Sequence, residues 1–189
     1  MGVLPKSKSH LPKVWMKCNK ISWGKGLRLI GWPFVFRYPM AQIIMGENVT
    51  INSSFFSNLL GLYQRTIIVA RGEGVVEIGD NVGISGTTIY ARECIVIGKN
   101  TLIGANCKIM DNDFHPLDAE TRNGNDFGAL VTRPVEIGDN CFIGCNSILL
   151  KGTKLGNNCI VGAGSVVHGE FPDDCTIAGN PAVIIKRGF

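Results

Sequence analysis

The sequence predicts an all-β solenoid, a parallel β-helix, and three observations carry that expectation. Aliphatic residues stand six apart at Ile137, Ile143, Leu149, Leu155, Val161 and Val167, a period that neither an α-helix nor a single strand keeps. Glycine follows four of them (Gly138, Gly144, Gly156, Gly162), and the same phrase recurs upstream as Ile78-Gly79, Ile97-Gly98 and Ile103-Gly104. Charged residues make up only 18% of the chain and glycine numbers 24, which suits stacked short strands better than a helical bundle.

Six residues per side close a triangular coil after about 18 residues, each coil lying on the next at the ~4.8 Å spacing of adjacent strands. Ile137 then falls beneath Leu155 and Ile143 beneath Val161. Aliphatic side chains fill the prism, and glycine or asparagine at the corners tolerates positive φ.

Residues 1–40 carry no hexapeptide signal and are expected to form a basic cap or arm. Pro5, Pro12, Pro33 and Pro39 break any long helix there. Lys6, Lys8, Lys13, Lys17, Lys20, Lys25, Arg28 and Arg37 all precede the first acidic residue, Glu47. Trp15, Trp23, Trp32, Phe34 and Phe36 are interleaved with them. This pattern reads either as a solvated basic face whose aromatics cap the open end of the solenoid, or as contact with an anionic membrane surface. Nucleic acid is not an expected partner.

The repeat region is expected over 41–180, with a tail over 181–189. Its first turn is at Met45-Gly46 with Ile51, and a less regular stretch follows through Phe55, Phe56, Leu59 and Leu62. Repeats resume at Ile78 and Ile84, one extra residue separates Tyr90 from Ile97, and Ile97, Ile103 and Ile109 then run in register. The next rung, Ile137, comes 28 residues after Ile109 where 6 are due. Segment 111–134 is therefore an inserted loop, longer than ordinary connections, and such loops on a regular scaffold carry function.

Seven cysteines show no ligand spacing. Cys107, Cys141 and Cys159 share one repeat slot after asparagine, which argues for small buried side chains rather than disulfide partners. A reducing cytoplasm is the expected compartment, with the arm allowing peripheral contact at the inner face of the membrane. No stretch reaches 18 consecutive apolar residues, and the opening residues lack a signal-peptide layout.

His115 stands at the mouth of the insertion beside Asp111 and Asp113, and Pro116 holds its backbone extended. A neutral imidazole near a carboxylate is suited to accept a proton at neutral pH. Asp113 is the candidate to orient that imidazole, or else an Asx-turn residue. Asp111 is a candidate acceptor contact, and His168 reads as a surface histidine.

The repeats, the loop opening DNDFHP, the phrase IGDNCFIGCNSILLKGTKLGNNCIVGAGSVV and the closing AGNPAVIIKR together resemble the hexapeptide-repeat O-acetyltransferases. That family includes the galactoside and maltose acetyltransferases and those of surface-polysaccharide synthesis. The resemblance covers roughly residues 75–187. It implies a left-handed coil, an exception to the right-handed rule for crossovers, and a homotrimer with active sites between subunits. It also implies acetyl-CoA as co-substrate, no metal, and a sugar or glycan acceptor. His115 matches the catalytic base, and Ser85 lies where some relatives place an acceptor-contacting asparagine. Phe142 takes a slot often held by tryptophan. Phe142, Gly144, Cys145, Gly162 and Ala163 would line the coenzyme A groove, with Lys186 and Arg187 near its phosphates. Lys151 and Lys154 are weaker candidates. Where relatives read Thr-Lys-Asp-x-Pro, this chain has His168-Gly169-Glu170-Phe171-Pro172. Other acceptors, such as serine or a xenobiotic alcohol, stay open, as does a non-catalytic scaffold. The zinc-dependent carbonic anhydrase on this helix needs three histidines, and His115 has no companion nearby.

Overall fold

The computed structural model describes residues 10–124, 128 and 130–188. Among these, three sheets of seven, eight and six strands form the sides of a prism, and the chain visits them in turn. The first sheet begins with Ser22–Trp23 and Gln42–Met45, the second with Arg28–Gly31 and Thr50–Ser53, and the third with Phe34–Arg37 and Ile67–Ala70. All pairings between coils are parallel, as in Ile137 with Leu155, Ile143 with Val161 and Leu149 with Val167.

Three inward columns make the core. Met45, Ile78, Ile97, Ile137 and Leu155 stack on the first side, Ile51, Ile84, Ile103, Ile143 and Val161 on the second, and Ile68, Ile89, Ile109, Leu149 and Val167 on the third. All are at most 3% exposed, so each contributes about 1.5–3 kcal/mol by burial. No coil can bury its own column, and stacking supplies the cover.

The corner between the first and second sheets is held by one side-chain type. Asn48, Asn81, Asn100, Asn140 and Asn158 all adopt φ of 56–59°, the left-handed conformation asparagine tolerates. Each amide donates to the next in a single chain: Asn48 to Asn81 at 3.2 Å, Asn81 to Asn100 at 2.9 Å, Asn100 to Asn140 at 3.1 Å and Asn140 to Asn158 at 3.2 Å. Asp174 ends it by accepting from Asn158 at 2.9 Å.

Four features depart from the sequence reading. The first coil lies inside segment 1–40, where Ser22–Trp23, Arg28–Gly31 and Phe34–Arg37 pair with the coil above. What precedes it is a helix, α1 (His10–Cys18), whose Met16 is buried in the core. Lys13 Nζ donates to Leu27 O at 2.7 Å and Arg37 donates to the carbonyls of Asn19, Tyr38, Pro39 and Ala41. Two of the cations read as arm charges therefore fasten the backbone of the cap, while Lys6 and Lys8 lie outside the described residues. At the other end, Ala182–Arg187 is a strand, antiparallel to Cys175–Gly179. Third, Ile89 rather than Tyr90 fills the ladder, because a register shift at Ser85 moves the row by one and turns Tyr90 outward. Fourth, the ladder breaks twice. Asn48 and Asn81 are 33 residues apart and Asn100 and Asn140 are 40 apart, where Asn140 and Asn158 are 18 apart. Segment 54–66 is thus a second inserted loop.

The repeated cysteines are structural, and Cys175 joins their slot. Cys107, Cys141 and Cys159 each donate Sγ–H to a carbonyl of the following coil at 3.2 Å. Burial pushes the Cys107 and Cys141 thiols up to about 11. The folded chain holds these protons where an unfolded one, with thiols near 9.0, has released them. Their contribution is therefore complete below pH 9 and lost as pH rises towards 11. The melting temperature should fall between those values, and Cys107→Ser with Cys141→Ser should flatten that fall. At pH 8 a maleimide should label exposed Cys18 well before either buried thiol.

Candidate active site

The inserted loop leaves the third sheet at Met110 and rejoins the first at Val135. Its root is built from Asp111, which is fully buried. That carboxylate accepts from the backbone N–H of Arg92 at 2.9 and 3.0 Å, from that of Glu93 at 2.7 Å, and from Asn112 Nδ2 at 3.0 Å. A carboxylate so committed cannot meet an acceptor, so Asp111 is a structural anchor and not the substrate contact the sequence suggested. The loop's return strand closes beside it, with Arg133 N donating to Asp111 O at 2.9 Å and Asn112 bridging Thr132.

The next residues are aimed by a strained turn. Asn112 Oδ1 accepts from Phe114 N at 3.0 Å, so the Asx turn belongs to Asn112 and not to Asp113. Phe114 has φ 62°, which costs a non-glycine residue about 1–2 kcal/mol. Its ring packs against Tyr90 with centroids 4.8 Å apart. His115 N donates to Asp113 O at 2.7 Å, a tight bend that leaves His115 exposed while Pro116 beneath it is buried. Helix α2 (Ala119–Asn123) stiffens the far side, its N-cap Asp118 accepting from Thr121 N at 2.8 Å.

The Asp113 carboxylate is gripped by the Lys151 ammonium rather than by the imidazole. Both side chains are about four-fifths buried, at 20% and 22% exposed. Lys151, read from sequence as a weaker candidate near the coenzyme A phosphates, is thus a second anchor of the loop. The two line a cleft of about 400 Å³ with Arg133 and His168. His168 is exposed as expected, yet it shares this cleft with the loop.

Ser85 and Phe142 come together elsewhere. They line a cleft of about 380 Å³ on the outer face of the second sheet, with Leu102 beside Phe142 in register. Phe142 is 48% exposed, and Ser85 Oγ accepts from Asn52 Nδ2 at 3.1 Å. Along the same sheet the row continues from Phe142 through Ile160 to Thr176, opposite Lys186, about 14 Å at three strand spacings. Lys186 and Arg187 are both exposed on that edge strand. At the adjoining corner Gly164 N donates to Cys145 O at 2.9 Å, and Ala163 is exposed. Gly144 is fixed by stacking: a Cβ there would stand 2.5 Å from Ala163 N. Gly162 is less confined, its nearest contact being Ala178 Cβ at 3.0 Å.

The sequence-derived site residues therefore divide between two faces. Among the described residues, Asp113 and Lys151 belong to one cleft and Ser85 and Phe142 to another, and His115 lines neither. Sequence reasoning missed Asn52 and the pairing of Lys151 with Asp113. Both follow from register, since Asp111 stands level with Lys151 once Ile109 is set on Leu149, and Asn52 is paired with Ser85 across one strand spacing.

Similarity to known proteins bears on this arrangement. A model of the hexapeptide repeat of succinyl-transferases matches residues 94–109 and 134–168. An Escherichia coli protein provisionally named as a lipopolysaccharide biosynthesis O-acetyl transferase is 34% identical over 169 residues, 86% of this chain and 80% of that protein. A Dictyostelium discoideum protein provisionally named as an acetyltransferase is 42% identical over 114 residues, 59% of this chain and 57% of that protein. The match thus spans little more than half of the latter's length. In fold, the chain is similar to a crystal structure of a mutant N-acyltransferase, AntD, from Bacillus cereus in complex with dTDP and coenzyme A. The TM-score is 0.72 at 24% identity, covering 97% of this chain and 90% of that one.

Breaking the loop's ion pair from one side leaves a mostly buried charge unpaired. Lys151→Met should cost about 1–3 kcal/mol in chemical denaturation. Adding Asp113→Asn should recover most of it, because the orphaned carboxylate is then gone.

Proposed function

The chain belongs to the hexapeptide-repeat acetyltransferase family, whose left-handed parallel β-helix it shares, and from that premise we propose that it moves an acetyl group from acetyl-CoA to a sugar hydroxyl. The observation that carries this reading is His115, set exposed on a loop whose root is locked by buried Asp111 and by the Asp113–Lys151 pair. A base held at a fixed point on an exposed turn is what transfer to a hydroxyl requires.

His115 takes the proton of the acceptor hydroxyl as that oxygen adds to the thioester carbonyl carbon. The carbon–sulfur bond then breaks, an ester remains on the acceptor, and His115 returns its proton to the departing thiolate. No acyl-enzyme is needed, and the buried cysteines, held as thiols, take no part. The donor fits the face carrying Phe142, where a flat exposed ring, an open corner at Ala163 and Gly164 and the cationic edge at Lys186 and Arg187 follow one another. An adenine-nucleotide donor needs such a strip, apolar in the middle and positive at one end.

The division of the site residues between two faces supports a homotrimer in which the loop of one subunit covers the Ser85 cleft of its neighbour. In such an arrangement His115 and Ser85 meet only across the interface. The acceptor reading as a sugar or glycan is supported by the relative named for lipopolysaccharide biosynthesis. Membrane contact by the cationic arm belongs to the same proposal, with helix α1 carrying exposed Leu11, Val14 and Trp15 beside Lys13 and Lys17. Among the described residues no helix is long and apolar enough to cross a membrane.

His115→Ala should lower turnover by about 10²- to 10⁴-fold with an unchanged melting temperature, since the side chain is exposed. Coenzyme A release, read with a thiol-reactive dye across a panel of sugars, measures this, with an acceptor-free control to subtract the reaction of exposed Cys18 with that dye. Equal release by wild type and variant would remove His115 as the base. Inactivation of His115→Ala, partly restored by mixing with a Ser85 variant, would place the site between subunits.

A further inference from the structure

We infer that Tyr90 is a positioning residue for the transfer: its ring seats Phe114, and through that contact it fixes where the next residue, His115, stands. The inference rests on the acetyl-transfer reading above, in which His115 is the base, and assigns a further residue to the same site.

The first ground is register. Ile84 faces Ile103 and Ser85 faces Ala105, so Gly104 has no counterpart on the neighbouring strand. The next inward residue after Ile84 is therefore Ile89, fully buried and level with Ile109. A slip of one residue sends the following side chains to the opposite face, and irregularities of this kind gather beside active sites, where they re-aim a side chain. The large side chain re-aimed here is Tyr90. In the regular register it would fill the prism; with the slip it lies half-buried on the outer face of the third sheet.

The second ground is what Tyr90 meets there. It is paired with Met110, the last strand residue before the longer insertion. From Met110 the chain passes through buried Asp111 and Asn112, and the turn at Asn112 carries it back over the sheet. The Phe114 ring then lies on that of Tyr90, with centroids 4.8 Å apart and planes at 49°, an attractive separation for an aromatic pair. Phe114 has φ 62°, and a residue keeps such a conformation only where its surroundings over-determine it. Asn112 Oδ1 constrains the backbone of this residue and Tyr90 its side chain. Asp113 is tied to Lys151, so the contact with Tyr90 is the one made by the residue adjoining the base.

The third ground is that Tyr90 is itself held. On its other side it is paired with Val69, which is 8% exposed, and Phe36 stands beyond Val69 in register. Arg71 reaches its hydroxyl: the guanidinium pKa is raised above its ordinary value, chiefly by the hydrogen bond to Tyr90. The same guanidinium lies over the Tyr38 ring, 5.5 Å from its centroid, and Arg71 N donates to Ala91 O at 2.8 Å. A ring backed by its neighbours and fastened at its hydroxyl can pass its position on to Phe114.

Tyr90→Ala removes the seat, Tyr90→Phe keeps the ring, and Tyr90→Leu keeps apolar cover beside Val69 for the case in which the alanine variant does not fold. Acetylated product is measured by mass spectrometry with the best acceptor of the sugar panel, well below the lowest melting temperature of the set. Tyr90→Ala should lower kcat about tenfold to a hundredfold, the scale of displacing a reacting group by up to about 1 Å, with KM for acetyl-CoA unchanged. Tyr90→Leu should fall in the same sense, and Tyr90→Phe should stay within about threefold of wild type. Added to Phe114→Ala or to His115→Ala, Tyr90→Ala should change kcat by less than about twofold, because the contact or the base it acts through is already gone. An unchanged kcat in the folded alanine or leucine variant, an equal loss in Tyr90→Phe, or a full further loss on top of His115→Ala overturns the inference and leaves acetyl transfer standing. An unchanged kcat in His115→Ala alone overturns both.

Discussion

Everything in this protein depends on one spacing, that of coil on coil. Each strand offers its N–H and C=O groups to the next coil, and the asparagine ladder at one corner repeats the same step in side chains. The two sets of bonds share a period, so neither can slip without breaking the other. Additional residues can enter only at corners, where the chain is already turning. Both inserted loops do so, 54–66 entering the third sheet and 111–134 leaving it. The rigid repeat thus concentrates its variability along the two edges of one side.

That division explains what was legible in the sequence. A period of six is visible wherever side chains point inward, so the pairing of Ile137 with Leu155 could be written down before any coordinates. The first coil was not visible because its inward residues, Leu29 and Val35, lie among tryptophans, cations and prolines that mimic a cap. The displacement from Tyr90 to Ile89 was hidden for a different reason. It left one extra residue between Tyr90 and Ile97 in the pattern, and nothing in the hydrophobic spacing said that the shift lies before Ile89, opposite Ile103 and Ala105.

The site was legible in part. His115 stood out because it opens the longer interruption. The roles of its neighbours did not, because Asp111 and Asp113 look alike in sequence and differ only in what the coils place beside them. Asp111 falls against the backbone N–H groups of Arg92 and Glu93, while Asp113, two residues on, reaches Lys151. One carboxylate is spent on the wall and the other on the loop. Counting forward by the register that sets Ile109 on Leu149 would have exposed the Lys151 contact.

The two anchors also differ in what they permit. Asp111 is held by uncharged backbone donors deep in the wall, so its grip is independent of salt. The Asp113–Lys151 pair sits nearer the surface, and its hold weakens as ionic strength rises. The root of the loop is therefore permanent while the segment bearing His115 is secured by a contact that solvent conditions reach. The residue on that segment is fixed in direction by its strained turn at Phe114 while its hold on the wall stays open to solvent conditions. The coils supply the permanent root at Asp111, and only the inserted loop, free of their spacing, can supply a hold that salt reaches.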